Sequence, residues 1–184
     1  MPMLPVDDQS QVERFHANLI EAMHAEWLKP KSAAEYRLLN FGSDDRNPWC
    51  GDTVATAARK IGLDPEMARR IVRSCYRMAS MEFADNRYTT DGQKRLDELT
   101  RVPLGEMRPG HIVTFETTGG KPYGDHITVP YAIIHDKVYC YDGNAQGLLA
   151  TGKNTSGQRS VVKSVRDISK VRRVWEVKRS HIGY

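Results

Sequence analysis

Cysteine is scarce in this chain. Three occur in 184 residues, at positions 50, 75 and 140, and no two form the Cys-x-x-Cys pair of a zinc ribbon or finger. Long apolar runs are missing too: no stretch approaches the ~20 residues needed to span a bilayer. The first ten residues carry Asp7 and Asp8 and have neither a basic start nor an apolar run, so they do not read as a secretory signal. There is no internal repeat, and the only compositionally biased segment is a Gly/Asn/Ser/Thr-rich stretch at 143–159. What remains is 40% hydrophobic and 27% charged, with a mean hydropathy of −0.57. That is enough apolar material for one packed domain, taken as 1–184.

The net charge is +4, and the excess lies late. Lys163, Arg166, Lys170, Arg172, Arg173, Lys178 and Arg179 face only Asp167 and Glu176 in the same stretch. This reads as a solvated strand edge guarded by cations, or as a face for an anionic partner such as cell wall or membrane surface. Nucleic acid ranks last, because no aromatic residues interleave with the basic ones as stacking platforms.

Ser10-x-x-Glu13 reads as a capping box. Val12, Phe15, Leu19, Met23 and Trp27 then recur at helical spacing, and Pro30 closes the helix. His16 and His24 fall beside that stripe and read as surface residues. Residues 40–48 form a polar loop. A second helix runs from Cys50 to about Ile61, burying Val54, Ala57, Ala58 and Ile61 and ending at Gly62. Its alanines suit close packing on a sheet. A third is predicted from Asp64-Pro65-Glu66, with Met67, Ile71, Cys75 and Met78 inward, and a short one near 93–99. From residue 103 the pattern changes to strands, at 111–116, 126–134, 138–142, 160–166 and 171–178, with His135-Asp136-Lys137 as a hairpin turn. Helices first and strands second predict an α+β fold, the helical part at about 8–100 and the antiparallel sheet at about 103–180.

Asn47-Pro48-Trp49-Cys50 places a thiol at the first turn of a helix. Unpaired backbone N–H groups and the helix dipole both lower a thiol pKa there, and the thiolate is the nucleophilic form. Gly124-Asp125-His126-Ile127 puts a histidine at the mouth of a strand. Tyr139-Cys140-Tyr141-Asp142-Gly143-Asn144 is a strand that returns beside it. Nucleophile Cys50, base His126 and an orienter, Asp142 or Asn144, follow in that order. Strand parity puts Asp142 and Asn144 on the same face and does not choose between them. Trp49 either walls a substrate cleft or anchors the helix. Asp125 stands at the strand entrance, the other candidate substrate contact. His111 reads as a partly exposed strand-end histidine. Cys75 and Cys140 read as buried hydrophobes, or as a disulfide that leaves Cys50 free.

These residues resemble the CHAP amidase/peptidase family and, more broadly, the NlpC-type branch of papain-like cysteine hydrolases. Pro48-Trp49-Cys50 is similar to the nucleophile segment, and Arg108-Pro109-Gly110-His111-Ile112-Val113 to the segment opening the sheet, with His111 in place of the usual Asp. Gly124-Asp125-His126 is similar to the base-carrying strand, and Asp142-Gly143-Asn144 to the element after it. The resemblance spans roughly 45–145. It implies a papain-like NlpC/CHAP-type fold and a peptidoglycan amidase or endopeptidase needing no metal or organic cofactor. A wall hydrolase made without a signal peptide reaches the periplasm or cell wall by lysis, as phage lysins do, or through a secretion system, as antibacterial effector toxins do. A toxin implies a cognate immunity protein. Two other readings stand beside this one: a papain-like deamidase or acyltransferase toxin acting on a protein, and a non-catalytic basic module binding wall or nucleic acid.

Overall fold

The computed structural model describes residues 8–41, 49–63, 68, 99–119 and 124–177. Among the described residues, helices α1 (Asp8–Leu28), α2 (Ala33–Phe41) and α3 (Cys50–Lys60) come before strands β1 (Leu99–Val102), β2 (Ile112–Phe115), β3 (His126–Ile134), β4 (Lys137–Ala145), β5 (Ser160–Asp167) and β6 (Val171–Val177). The six strands form one antiparallel sheet in the order β1-β6-β2-β3-β4-β5. The fold is therefore α+β, as the order of helical and strand patterns predicts. Among the described residues no helix is long and apolar enough to cross a membrane.

The α1 stripe does what its spacing predicts. Phe15, Leu19 and Met23 are buried against Val54, Ala57 and Ala58 of α3 and against Ile112, Ile127, Val129 and Trp175 of the sheet. Each such side chain contributes about 1.5–3 kcal/mol relative to exposure. α1 is already helical at Asp8, so Ser10 lies within the helix and is not its N-cap residue. α3 ends as expected: Gly62 N–H bonds to Arg59 O at 3.2 Å and Leu63 N–H to Ala58 O at 3.1 Å, the paired bonds that satisfy a helix's last carbonyls.

α2 is an element the periodicity does not announce. Its capping box is real and lies at Ser32-Ala33-Ala34-Glu35: Glu35 N–H donates to Ser32 Oγ at 3.2 Å, and Ser32 N–H to Glu35 Oε2 at 2.7 Å. Tyr36 of α2 stacks on Trp49, centroids 5.4 Å apart and planes 8° from parallel, which fixes the chain as it enters α3. The buried carboxylate of Glu26 ties three elements together. It accepts from the Tyr36 hydroxyl at 2.7 Å and from Lys31 Nζ at 2.9 Å, and pairs with Lys60. Removing one member of a buried ionic cluster leaves the others unsatisfied. Glu26→Ala is expected to cost about 3 kcal/mol, read as a lower midpoint in chemical denaturation.

Sheet and helix meet most closely at Gly143. A Cβ there would fall 2.6 Å from Cβ of Thr53 on α3, so only glycine lets the helix carrying Cys50 lie on β4. Gly143→Ala should cost about 1–3 kcal/mol through overpacking. The substitution should also push Cys50 away from β3, and comparing the melting temperature with the alkylation rate of Cys50 below the melt separates the two effects.

β1 pairs with β6 from Leu99↔Val177 to Val102↔Val174 and was not expected, since Leu-Thr-Arg-Val is too short to carry a pattern. β4 runs three residues past its expected end, to Ala145. The helices predicted from Asp64 onward and near 93–99 lie outside the described residues apart from Ala68, which is helical, and Leu99, which opens β1 instead of ending a helix, and Cys75 and the loop at 42–48 lie outside them too. Cys140 is a free, buried thiol.

Candidate active site

Cys50 is the first residue of α3 and only 4% exposed. Burial alone would raise its pKa. The bond and charge of His126, together with the backbone N–H groups of Ile127 and Gly51, more than offset this, and the thiol sits below its ordinary value. The order in the chain is thus converted to contact in space: α3 lies across β3 and β4, and its N-terminus meets the first residue of β3.

His126 opens β3 and pairs in register with Phe115 of β2. Its Nε2 forms an ion pair with Asp142 Oδ1 at 3.4 Å, and among the described residues neither atom has a hydrogen-bond partner. Nε2 therefore belongs to the carboxylate, leaving Nδ1 as the nitrogen for the thiol. Burial pulls the imidazole pKa down, but the Asp142 charge and the Cys50 partner outweigh it and push it up to about 9.

Asp142 is fully buried on β4. Burial would raise its pKa, yet His126 and Arg166 hold it well below the carboxylate range, with help from Ser164. Its Oδ2 accepts from Arg166 Nε at 2.9 Å and Nη2 at 2.5 Å, and from the Ser164 hydroxyl. One oxygen faces the imidazole and the other is clamped, so the carboxylate is charged and cannot rotate. A thiolate–imidazolium pair held by an oriented carboxylate is an arrangement that can attack a carbonyl and return a proton to the leaving group.

The choice between Asp142 and Asn144 is decided by backbone. The β4–β5 register shifts between Asp142 and Ala145, and Asn144 takes a left-handed φ of 57°. Parity arguments fail across such a bulge. Asn144 is turned out of the pleat, its carbonyl accepts from Arg159 at 3.0 Å, and it lines a groove of about 910 Å³ with Trp49, Ser32, Lys153 and Arg159. Trp49 serves both readings: it is buried against Tyr36 and also borders that groove. Asp125 does not face the cleft. Its oxygens accept from Thr117 N–H at 2.8 Å and Thr118 N–H at 2.9 Å, and it clasps the end of the β2–β3 connection.

Ser164 and Arg166 are functional positions that the sequence reading missed. They lie two apart on β5 and so share a face, but Lys-Ser-Val-Arg-Asp reads as part of a basic edge. Among the described residues, three of that edge's cations are engaged within the molecule. Arg166 holds Asp142, Arg172 pairs with Glu116, and Lys163 Nζ lies 4.2 Å from the Trp27 ring centroid. Nor is β6 an edge strand, since it lies between β1 and β2. His16 and His111 are buried, at 8% and 3% exposure, against the expectation of surface and strand-end residues. His16 sits on the face of α1 that packs on the turn carrying His111. His24 is half-buried and bonds to the Tyr141 hydroxyl at 2.7 Å.

No family model matches the chain, and no curated protein or solved structure does so either.

Proposed function

We propose that this protein is a cysteine hydrolase of the papain-like NlpC/CHAP type that cleaves an amide bond in peptidoglycan. The observation carrying this reading is the line Cys50–His126–Asp142, in which a thiol of lowered pKa meets an imidazole of raised pKa backed by a clamped carboxylate. The Cys50 thiolate attacks the amide carbonyl. The oxyanion that forms is stabilised by backbone N–H at the start of α3, including that of Cys50. His126 gives its proton to the departing amine, the C–N bond breaks, and a thioester remains. Water, deprotonated by His126, attacks the thioester and frees the carboxylic acid and the thiol. Metal or organic cofactor has no role in this sequence of steps. The groove is bordered by Trp49, the chain neighbour of Cys50, and by Asn144, two residues from Asp142, and its Lys153 and Arg159 suit a substrate bearing carboxylates. A secreted antibacterial effector or a phage lysin would need this activity.

The test is digestion of purified peptidoglycan with wild-type and Cys50→Ala protein, with released fragments resolved by mass spectrometry. Fragments appearing only with wild type are expected, and their masses name the bond. No fragments from a folded wild-type protein would overturn the wall substrate. A mass shift on a protein acceptor would then indicate deamidation or acyl transfer at the same thiol.

A further inference from the structure

At the opposite end of β2 from His126, three side chains from distant parts of the chain converge. His16 comes from α1, His111 from the turn before β2, and Glu176 from β6. Their donor atoms all lie within 4.8 Å of one another. His111 Nε2 is 3.3 Å and His16 Nε2 3.8 Å from the same oxygen, Glu176 Oε2. The two imidazoles meet edge to face, centroids 4.8 Å apart. The cluster is held from below. A Cβ at Gly110 would fall 2.8 Å from the His16 Cα, so glycine lets α1 press on the turn that presents His111.

One atom in this cluster is unaccounted for. His16 is 8% exposed, and its Nε2 is buried with no hydrogen-bond partner. An unpaired buried ring nitrogen costs free energy unless something fills the position. We propose that His16, His111 and Glu176 form a binding site for a divalent transition-metal ion, zinc being the best fit to two imidazoles and one carboxylate. Zinc takes such ligands at about 2.0–2.2 Å, which places tetrahedral donors about 3.3 Å apart. The two separations to Glu176 are close to that edge, so small side-chain rotations complete the set. The fourth position is open to water on the Glu176 side, whose side chain is 32% exposed. Arg108, three residues before His111, lies toward Glu13 at 4.0 Å.

Ligation also rearranges one proton. His111 Nδ1 accepts from the Arg108 N–H at 3.0 Å, which puts the ring proton on Nε2, facing Glu176. Metal at Nε2 moves that proton to Nδ1, and the Arg108 amide gives up its bond. The ion would pin α1 to the sheet, away from the Cys50 site.

Zinc titration by calorimetry tests this, using the full chain with Cys50→Ala so that the Cys50–His126 pair cannot compete. The expected result is one zinc per chain, a higher melting temperature with zinc, and a shift of the Arg108 amide resonance. Loss of an outer-shell partner already costs 10–100-fold in affinity, so His16→Ala and Glu176→Gln should each weaken binding by more than about 100-fold. Glu176→Gln keeps shape and decides the matter if His16→Ala does not fold. Absence of zinc binding, or binding of full strength in a folded Glu176→Gln protein, would overturn the site.

Discussion

Replacing Cys50 by alanine is expected to reduce amide cleavage by about 10⁴-fold or more while leaving the fold intact. In the proposed mechanism the thiolate forms the covalent bond, and no second thiol among the described residues can substitute. Cys140 is buried within β4 with its pKa raised well above the ordinary value, chiefly by that burial. The deletion removes one sulfur from a site against α3, so melting temperature and circular dichroism should change little. Residual activity comes from whatever the groove and the α3 N–H groups contribute alone. Fragment release from peptidoglycan, normalised to folded protein, gives the ratio. Activity within tenfold of wild type would remove Cys50 from the chemistry.

The second large effect is expected from Asp142→Asn. The amide keeps the shape but loses the charge that keeps His126 protonated up to pH about 9. The proposed mechanism requires Cys50 deprotonated and His126 protonated. It should rise with pH as the thiolate forms and fall as pH passes through about 9. Without the carboxylate charge, the imidazolium loses its proton earlier, so the alkaline limb moves to lower pH. Turnover should fall by about 10²- to 10⁴-fold, as for other triads whose acid is neutralised, with KM little changed. The variant also leaves Arg166 facing a neutral partner, so its stability must be measured alongside. A profile whose alkaline limb stays near 9 would mean that another group sets it.

Much of this site was legible because its chemistry is local. Cys50 after Trp49 at a helix start, His126 at the mouth of an apolar strand and Asp142 at the end of the next are each readable from neighbours in sequence. The hairpin at His135-Asp136 then fixes the return, with Ile134 opposite Lys137. The rest depends on long-range packing. Asp142 is separated from Asn144 by a bulge, which parity cannot foresee. Ser164 and Arg166 look like surface polar residues until β5 is seen beside β4. Tyr36 and Glu26 matter through a stack and an ion cluster spanning α1, α2 and α3. The burial of His16 and His111 follows from Gly110, whose missing side chain lets α1 descend onto the turn.

The rate of Cys50 alkylation by iodoacetamide against pH, followed by peptide mass spectrometry, tests the central claim most directly. The account predicts that Cys50 reacts at pH values well below about 8.5, where an ordinary thiol falls silent, and that His126→Ala abolishes this advantage. Cys140 should stay unlabelled in the folded protein. A Cys50 that titrates like an ordinary thiol in wild type and in His126→Ala alike, or that does not react at all, would contradict it.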